Sequence, residues 1–202
     1  MPIYTTLDFL RHGEPMGGKR YRGKTDDPLS QKGWAQMCTA TAGERPWMAI
    51  VSSPLSRCRT FAEWLAGVTG LPLSVDERLA EVGFGIWEGR TAEEINKAEP
   101  DSVFDFKCDP VGHRPEGAEA LAAFSARVDA AYEQIISRHK GEHVLVVAHA
   151  GVIRMALSHV LGLPPERAYR INVGSAGLAR VRVEHRGSKR FDSLMWLSKG
   201  GG

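Results

Sequence analysis

The run "HVLVVAH", His143 to His149, decides how this chain folds. Val144 to Ala148 are apolar without a break, whereas a strand with one wet face alternates apolar and polar residues. Such a run marks a strand covered on both faces, which calls for helices above and below a parallel sheet. The next segment, "GVIRMALSHVLG" from Gly151, changes to helical spacing.

Working outward, the same order recurs. The N-terminal apolar segment ends at Leu10 as a strand, and a polar, glycine-bearing loop follows it. Ser30 caps a helix running to about Ala42, with Trp34, Met37 and Cys38 at helical intervals. "WMAIVSS", bounded by Pro46 and Pro54, is a second strand. Phe61, Leu65 and Val68 then mark a helix that Gly70 stops. "LPLSVDE" is a weaker strand, and Thr91 with Glu94 forms a capping box for a short helix. Leu121, Phe124, Val128, Ala131 and Ile135 draw one apolar stripe along a long helix. "LARVRVEH" and "FDSLMWLS" alternate like two late strands, the last at a sheet edge. Strands separated by helices imply right-handed crossovers. The expected fold is therefore α/β, a mostly parallel sheet flanked by helices on both faces. One domain is expected over residues 1–202, with the irregular segment from about Glu81 to Glu116 forming a small cap.

The 202 residues are 43% hydrophobic and 25% charged, enough for one sizeable core. A formal charge of +2, with acids and bases interspersed, gives no basic face for nucleic acid. No apolar run approaches the roughly eighteen residues of a membrane helix, and the start "MPIYTTLDFL" lacks the pattern of a secretory leader. No membrane partner and a cytoplasmic location are expected. Cys38, Cys58 and Cys108 are odd in number and lack zinc-like spacing, which suits a reducing compartment and argues against a structural metal. The terminal "KGGG" is expected to be disordered. No pattern fixes the oligomeric state, and a homodimer is compatible with all of them.

Polar residues gather where such a sheet binds ligands, beyond the carboxyl ends of the strands. The first strand ends in Arg11 and His12, the second runs into "SSPLSRCR" with Arg57 and Arg59, and the central one ends in His149. Glu81 leads the irregular segment after the third strand. Arginines, two histidines and one carboxylate on one rim suit a phosphorylated small molecule, because the guanidinium fork matches phosphate oxygens and its charge is permanent.

"LRHGE", "PLSQKG", "SSPLSRCRTFAEWL", "LAEVGFGIWEG" and "VVAHAGVIR" together resemble the histidine phosphatase superfamily, in its phosphoglycerate-mutase-like branch, across nearly the whole chain. "RHGEP", "YRGKTDDPLS" and "GWAQM" look most like the α-ribazole phosphatases of cobalamin assembly. The resemblance implies a metal-independent phosphomonoester hydrolase with no cofactor. In it His12 would be the nucleophile that becomes phosphohistidine, and Arg11, Arg57 and His149 would clamp the phosphoryl oxygens. Glu81 would be the general acid. Arg57 is chosen over Arg59 by the family's pattern alone; a different register would pass the role to Arg59. Arg22, Gly23 and the amide of Ala150 are implied substrate contacts, and Glu14 an orienting group. Pro15 and Gly18 depart from the Ser or Thr and the Asn of many members, and "EGAE" at Glu116 to Glu119 replaces the usual "GES".

This chemistry needs no metal, since arginines can stabilise the equatorial oxygens. It does need His12 neutral at the attacking nitrogen, with the other nitrogen donating to a backbone carbonyl. Trp87, Arg22 and Tyr21 are candidates to line a pocket for a flat base. The rivals are a cysteine-dependent phosphatase built on Cys108 and Arg114, with "VFDFK" as its strand, a mutase, a broad sugar or nucleotide phosphatase, and a binding module without catalysis. A metal hydrolase using His139 and His143 is disfavoured by their setting in a surface turn.

Overall fold

The computed structural model describes residues 1–200. Of the terminal "KGGG", Gly201 and Gly202 lie outside the described residues, whereas Lys199 and Gly200 run directly against Gly174 and Ser175. In chain order the elements are β1 (Ile3–Arg11), α1 (Gln31–Ala40), β2 (Ala49–Ser52), α2 (Ser56–Thr69), β3 (Leu73–Val75), α3 (Ala92–Ala98) and α4 (Ser102–Cys108). They continue with α5 (Leu121–Arg138), β4 (His143–Ala148), α6 (Ala150–Leu161), β5 (Leu178–Arg186) and β6 (Lys189–Leu197).

The strands form one sheet in the order β3-β2-β4-β1-β5-β6. β3, β2, β4 and β1 are parallel, and β5 and β6 add an antiparallel pair at one edge. The unbroken apolar character of β4 follows from its central place. Val144, Val146 and Ala148 join one core with α5 and α6, while Leu145 and Val147 join a second core with α1 and α2 on the opposite face.

Local signals account for most element ends. Ser30 accepts from the amide of Gly33 at the start of α1, and Gly70 closes α2 at φ 71°, a left-handed conformation that glycine adopts without strain. The reciprocal Thr91–Glu94 capping box starts α3. Two details differ from expectation. Val68 faces solvent, because Phe61, Ala62 and Leu65 already cover the core side of α2. "VFDFK" lies in helix α4 and not in a strand: Val103 and Phe106 are buried while Phe104 is exposed, a spacing of three rather than two.

Register places the site. Leu10 pairs with Val147 and Arg11 with Ala148, and the amide of His12 donates to the carbonyl of Ala148 at 3.0 Å. Parallel pairing therefore brings His12 and His149 side by side at the same sheet end, their ring centres 5.1 Å apart. Ser53 leaves β2 at the same level, its amide bonded to the carbonyl of Val147.

Candidate active site

A cleft of about 220 Å³ opens over these strand ends. Its walls include Arg11, His12, Arg22, Gly23, Arg57, Glu81 and Ala150, so the structure gathers seven of the eight residues singled out in the sequence. The eighth, His149, lies beneath the wall, fully buried.

His12 sits at the floor. Its Nδ1 lies 2.7 Å from the carbonyl oxygen of Gly13; a carbonyl only accepts, so Nδ1 carries the proton. The neutral ring then presents a bare Nε2 to the cleft. Burial and the fields of Arg11 and Arg57 hold the imidazole well below its ordinary pKa, against the smaller opposing effect of the Gly13 bond. Arg11 donates through one terminal nitrogen to the carbonyl of Val173 at 2.6 Å, and its Nε is buried without a partner. Burial and the neighbouring guanidiniums of Arg154 and Arg57 draw its pKa down to about 10, with Glu81 opposing.

Arg57 is 1% exposed, and three of its five N–H donors are held by the protein, which leaves one on each terminal nitrogen. It donates to the carbonyls of Thr25 (2.8 Å) and Gly23 (2.9 Å), and through Nε to Nδ1 of His149 at 3.3 Å. His149 therefore keeps its proton on Nε2, which donates to the hydroxyl of Ser53 at 2.6 Å. Burial and Arg57 hold this imidazole well below its ordinary value too. As found here His149 aligns Arg57, and it does not stand on the cleft wall as an oxygen clamp. Arg59, the alternative register, points to solvent and pairs with Glu63 one turn away on α2.

The carboxylate of Glu81 accepts from the amides of Val82 (3.0 Å) and Gly151 (3.1 Å). A Cβ on Gly151 would fall 2.3 Å from Glu81 Oε1, so the glycine is what lets the carboxylate reach the start of α6. The neighbouring amide of Ala150 is one of the first-turn donors that a helix leaves without an internal acceptor. Behind Glu81, Arg127 donates to the carbonyls of Arg78, Ala80 and Glu81 and pairs with Glu119 at 2.7 Å.

The loop after Gly18 is held rather than loose. Arg22 pairs with Asp27 at 2.8 Å and donates to the carbonyl of Met16. Glu88 accepts from the amides of Lys24, Thr25 and Phe84 and from the hydroxyl of Thr25. Gly23, at φ 54°, lies so close that a Cβ would meet Glu88 Oε1 at 2.1 Å. Its place in the site is thus explained by backbone conformation and by Glu88. Trp87 is buried against Tyr21 and Phe106 and does not line the cleft; Tyr21, Phe84 and Tyr169 do.

Ser53, Glu88, Arg127 and Arg154 were not identified from the sequence. Arg154 stood in plain view in "HAGVIR", where its position one turn after Gly151 signals the same helix face. Glu88 and Arg127 act through backbone amides and carbonyls, which leave no residue pattern. The rival pair is not a site. Cys108 ends α4 in solvent, and Arg114 donates to the carbonyls of Pro110 and Glu119. His139 pairs with Glu142 and His143 with Asp8. Among the described residues no helix is long and apolar enough to cross a membrane.

A mostly parallel sheet with a neutral histidine, guanidiniums and a carboxylate at its strand ends is the arrangement of an α/β protein with a cationic cleft. The model of the histidine phosphatase superfamily (branch 1) matches residues 7–194, and the chain belongs to that family. It is 32% identical over 196 residues to a probable phosphoglycerate mutase of Shigella boydii, covering 95% of this chain and 87% of that protein. A mycobacterial glucosyl-3-phosphoglycerate phosphatase superposes with a TM-score of 0.84 at 28% identity, covering 95% of this chain and 97% of that one. A putative alpha-ribazole-5'-P phosphatase of Escherichia coli gives 0.78 at 25% identity, with 98% of both chains covered. Membership makes the chain a phosphatase or mutase of this superfamily.

Proposed function

We propose that the chain hydrolyses phosphomonoesters through a phosphohistidine on His12. The observation that carries this reading is the locked tautomer: Nδ1–H on Gly13, Nε2 unprotonated on the floor of a cationic cleft. In the first step the Nε2 lone pair forms the N–P bond while the P–O ester bond breaks, and Glu81 gives its proton to the departing alkoxide. Arg11, Arg57 and the Ala150 amide stabilise the equatorial oxygens. In the second step water attacks phosphorus, its proton returns to Glu81, and the N–P bond breaks to release phosphate. The Nδ1–H bond to Gly13 persists through both steps and supports the charge of the phosphorylated ring. His149 takes part by fixing Arg57.

For the alcohol half, the motifs that resemble α-ribazole phosphatases support α-ribazole 5′-phosphate, within cobalamin assembly. Tyr21 and Phe84 on the cleft wall offer aromatic surface to a flat base. The relationship to a probable phosphoglycerate mutase supports transfer to a second hydroxyl as the alternative. A phosphate-release screen over α-ribazole 5′-phosphate, sugar phosphates, nucleotides and phosphoglycerates tests both halves. Free phosphate, lost on His12→Ala and slowed by roughly 10²- to 10⁴-fold on Glu81→Gln, supports hydrolysis. Isomerised ester without free phosphate supports the mutase, and turnover surviving His12→Ala contradicts the mechanism.

A further inference from the structure

The chain from Ala80 to Gly83 lies between two short 3₁₀ turns, Glu77–Leu79 and Gly85–Trp87, and belongs to no helix or strand. Its main-chain groups therefore need partners from elsewhere. Arg127, on α5, supplies them. One terminal nitrogen donates to the carbonyls of Arg78 (2.6 Å) and Ala80 (2.7 Å), and the other to the carbonyl of Glu81 (3.2 Å) and to Glu119 (2.8 Å). Nε donates to the second carboxylate oxygen of Glu119 at 2.7 Å, so all five N–H donors of the guanidinium are engaged. Glu119 closes the ring: its amide donates to the carbonyl of Gly83 at 3.0 Å, and its carboxylate accepts from the amide of Gly83 at 3.3 Å. These bonds bracket Glu81 from Arg78 to Gly83.

The clamp is rooted away from the cleft. The guanidinium lies 4.7 Å from the centre of the Phe124 ring, one turn earlier on α5, and Phe124 is fully buried. Arg127 is not on the cleft wall, so it acts on a bound ester only through another residue. What it sets is where the Glu81 carboxyl stands. That carboxylate has two amide donors, Val82 in the same segment and Gly151 on α6. If the segment shifts, the group moves with Val82 and leaves Gly151. Proton transfer needs roughly 2.6–3.2 Å between heavy atoms, and about 1 Å of misplacement can cost about 10²-fold in rate.

We infer that Arg127, locked by Glu119, is a positioning residue for proton donation: it fixes the backbone that holds the Glu81 carboxyl at the departing oxygen. This rests on the role given above to Glu81.

Two esters of similar size separate this role from a merely structural one. Benzyl phosphate loses a basic alkoxide, which needs the proton, whereas 4-nitrophenyl phosphate loses a stable phenolate, which needs it little. In kcat/KM both report the first transfer, and the later hydrolysis of phosphohistidine does not enter. Arg127→Met should lose about tenfold to a hundredfold on benzyl phosphate, part of the roughly 10²- to 10⁴-fold of a general acid, and less than about threefold on 4-nitrophenyl phosphate. On top of Glu81→Gln it should cost nothing further on benzyl phosphate. Glu119→Gln, which keeps the shape of the partner, should show the same selective loss in smaller measure, and Arg127→Lys should recover part of what Arg127→Met loses. Equal losses on both esters, no loss on either, or a loss that adds in full to that of Glu81→Gln would overturn the inference. Should Arg127→Met fail to fold, Glu119→Gln and Arg127→Lys are read by the same outcomes. Glu81→Gln alone is the control: if it loses equally on both esters, its role as acid fails, and this inference with it. If it is selective and the Arg127 and Glu119 variants are not, only this inference falls.

Discussion

Nδ1 of His12 donates to the carbonyl oxygen of Gly13, its own neighbour in sequence, across 2.7 Å. The bond spans adjacent residues, so the tautomer is set by local backbone and survives changes elsewhere in the cleft. Burial and the arginines also depress the folded-state pKa well below 6.5. The ring should be neutral at pH 6.5, with the proton on Nδ1. Nitrogen NMR of selectively labelled protein should show a protonated Nδ1 and a bare Nε2 that does not titrate until well below that pH. A midpoint at or above 6.5, or a proton on Nε2, would contradict the assignment.

Arg57 and Arg59 are two residues apart yet have opposite settings, one 1% exposed and bound to His149, the other in water beside Glu63. Arg57→Ala should cost about 10²- to 10³-fold in kcat/KM, as removal of one donor to a developing charge does elsewhere. Arg59→Ala removes an exposed helix pair worth at most about 0.5 kcal/mol and should leave activity unchanged. Steady-state kinetics on both variants check this, and comparable losses would reverse the choice of arginine.

Glu88 and Gly23 form a second coupled pair. The carboxylate gathers amides from Lys24, Thr25 and Phe84, and thereby ties the loop that grips Arg57 to the segment that carries Glu81. Gly23→Ala puts a methyl group into Glu88 at a positive φ, a strain of about 1–3 kcal/mol. Gly23→Ala and Glu88→Ala should each lower kcat/KM with unchanged far-UV circular dichroism. The double variant should lose less than the sum, since both act on one contact. Additive losses would show that the two residues act separately.

The layered fold was legible because β4 is buried on both faces and cannot hide its composition, and because Ser30, Gly70 and the Thr91–Glu94 pair mark their helices locally. The short helix α4 was hidden, since only Val103 and Phe106 bring apolar side chains to its buried face, beside Ser102, and Asp101 starts it from a left-handed conformation without a side-chain cap. Within the site, residues at strand ends could be located from order alone. The place of His149 behind Arg57 could not, because it depends on which of two ring nitrogens each neighbour reaches. Arg127 and Glu88 escaped for a related reason: most of their partners are main-chain atoms, common to every residue type.

Within β1, three residues before Arg11, Asp8 is buried with Trp47, His143 and Arg180 around it. Burial would raise its carboxyl, but donation from these three overrides that and holds it at about 2, against an ordinary 3.8. A carboxyl with a lowered folded-state pKa stabilises the fold above its unfolded value and loses that contribution as pH falls from about 4 to about 2. The amount is on the order of 2 kcal/mol. His12 and His149, also depressed in the fold, begin to favour the unfolded chain once pH falls below 6.5. Urea midpoints should therefore decline from pH 6.5 downward, and the final decline below pH 4, to which Asp76, Glu119, Glu133 and Asp192 also contribute, should be smaller in Asp8→Asn. A wild type as stable at pH 3 as at pH 7 would contradict both contributions.

The central claim is that Nε2 of His12 takes the phosphoryl group, and rapid quenching with a ³²P-labelled substrate tests it most directly. The account predicts an acid-labile, base-stable label that maps to His12, carried on Nε2, and that vanishes in His12→Ala. Label on another residue, label on Nδ1, or steady turnover with no covalent label at any quench time would contradict it.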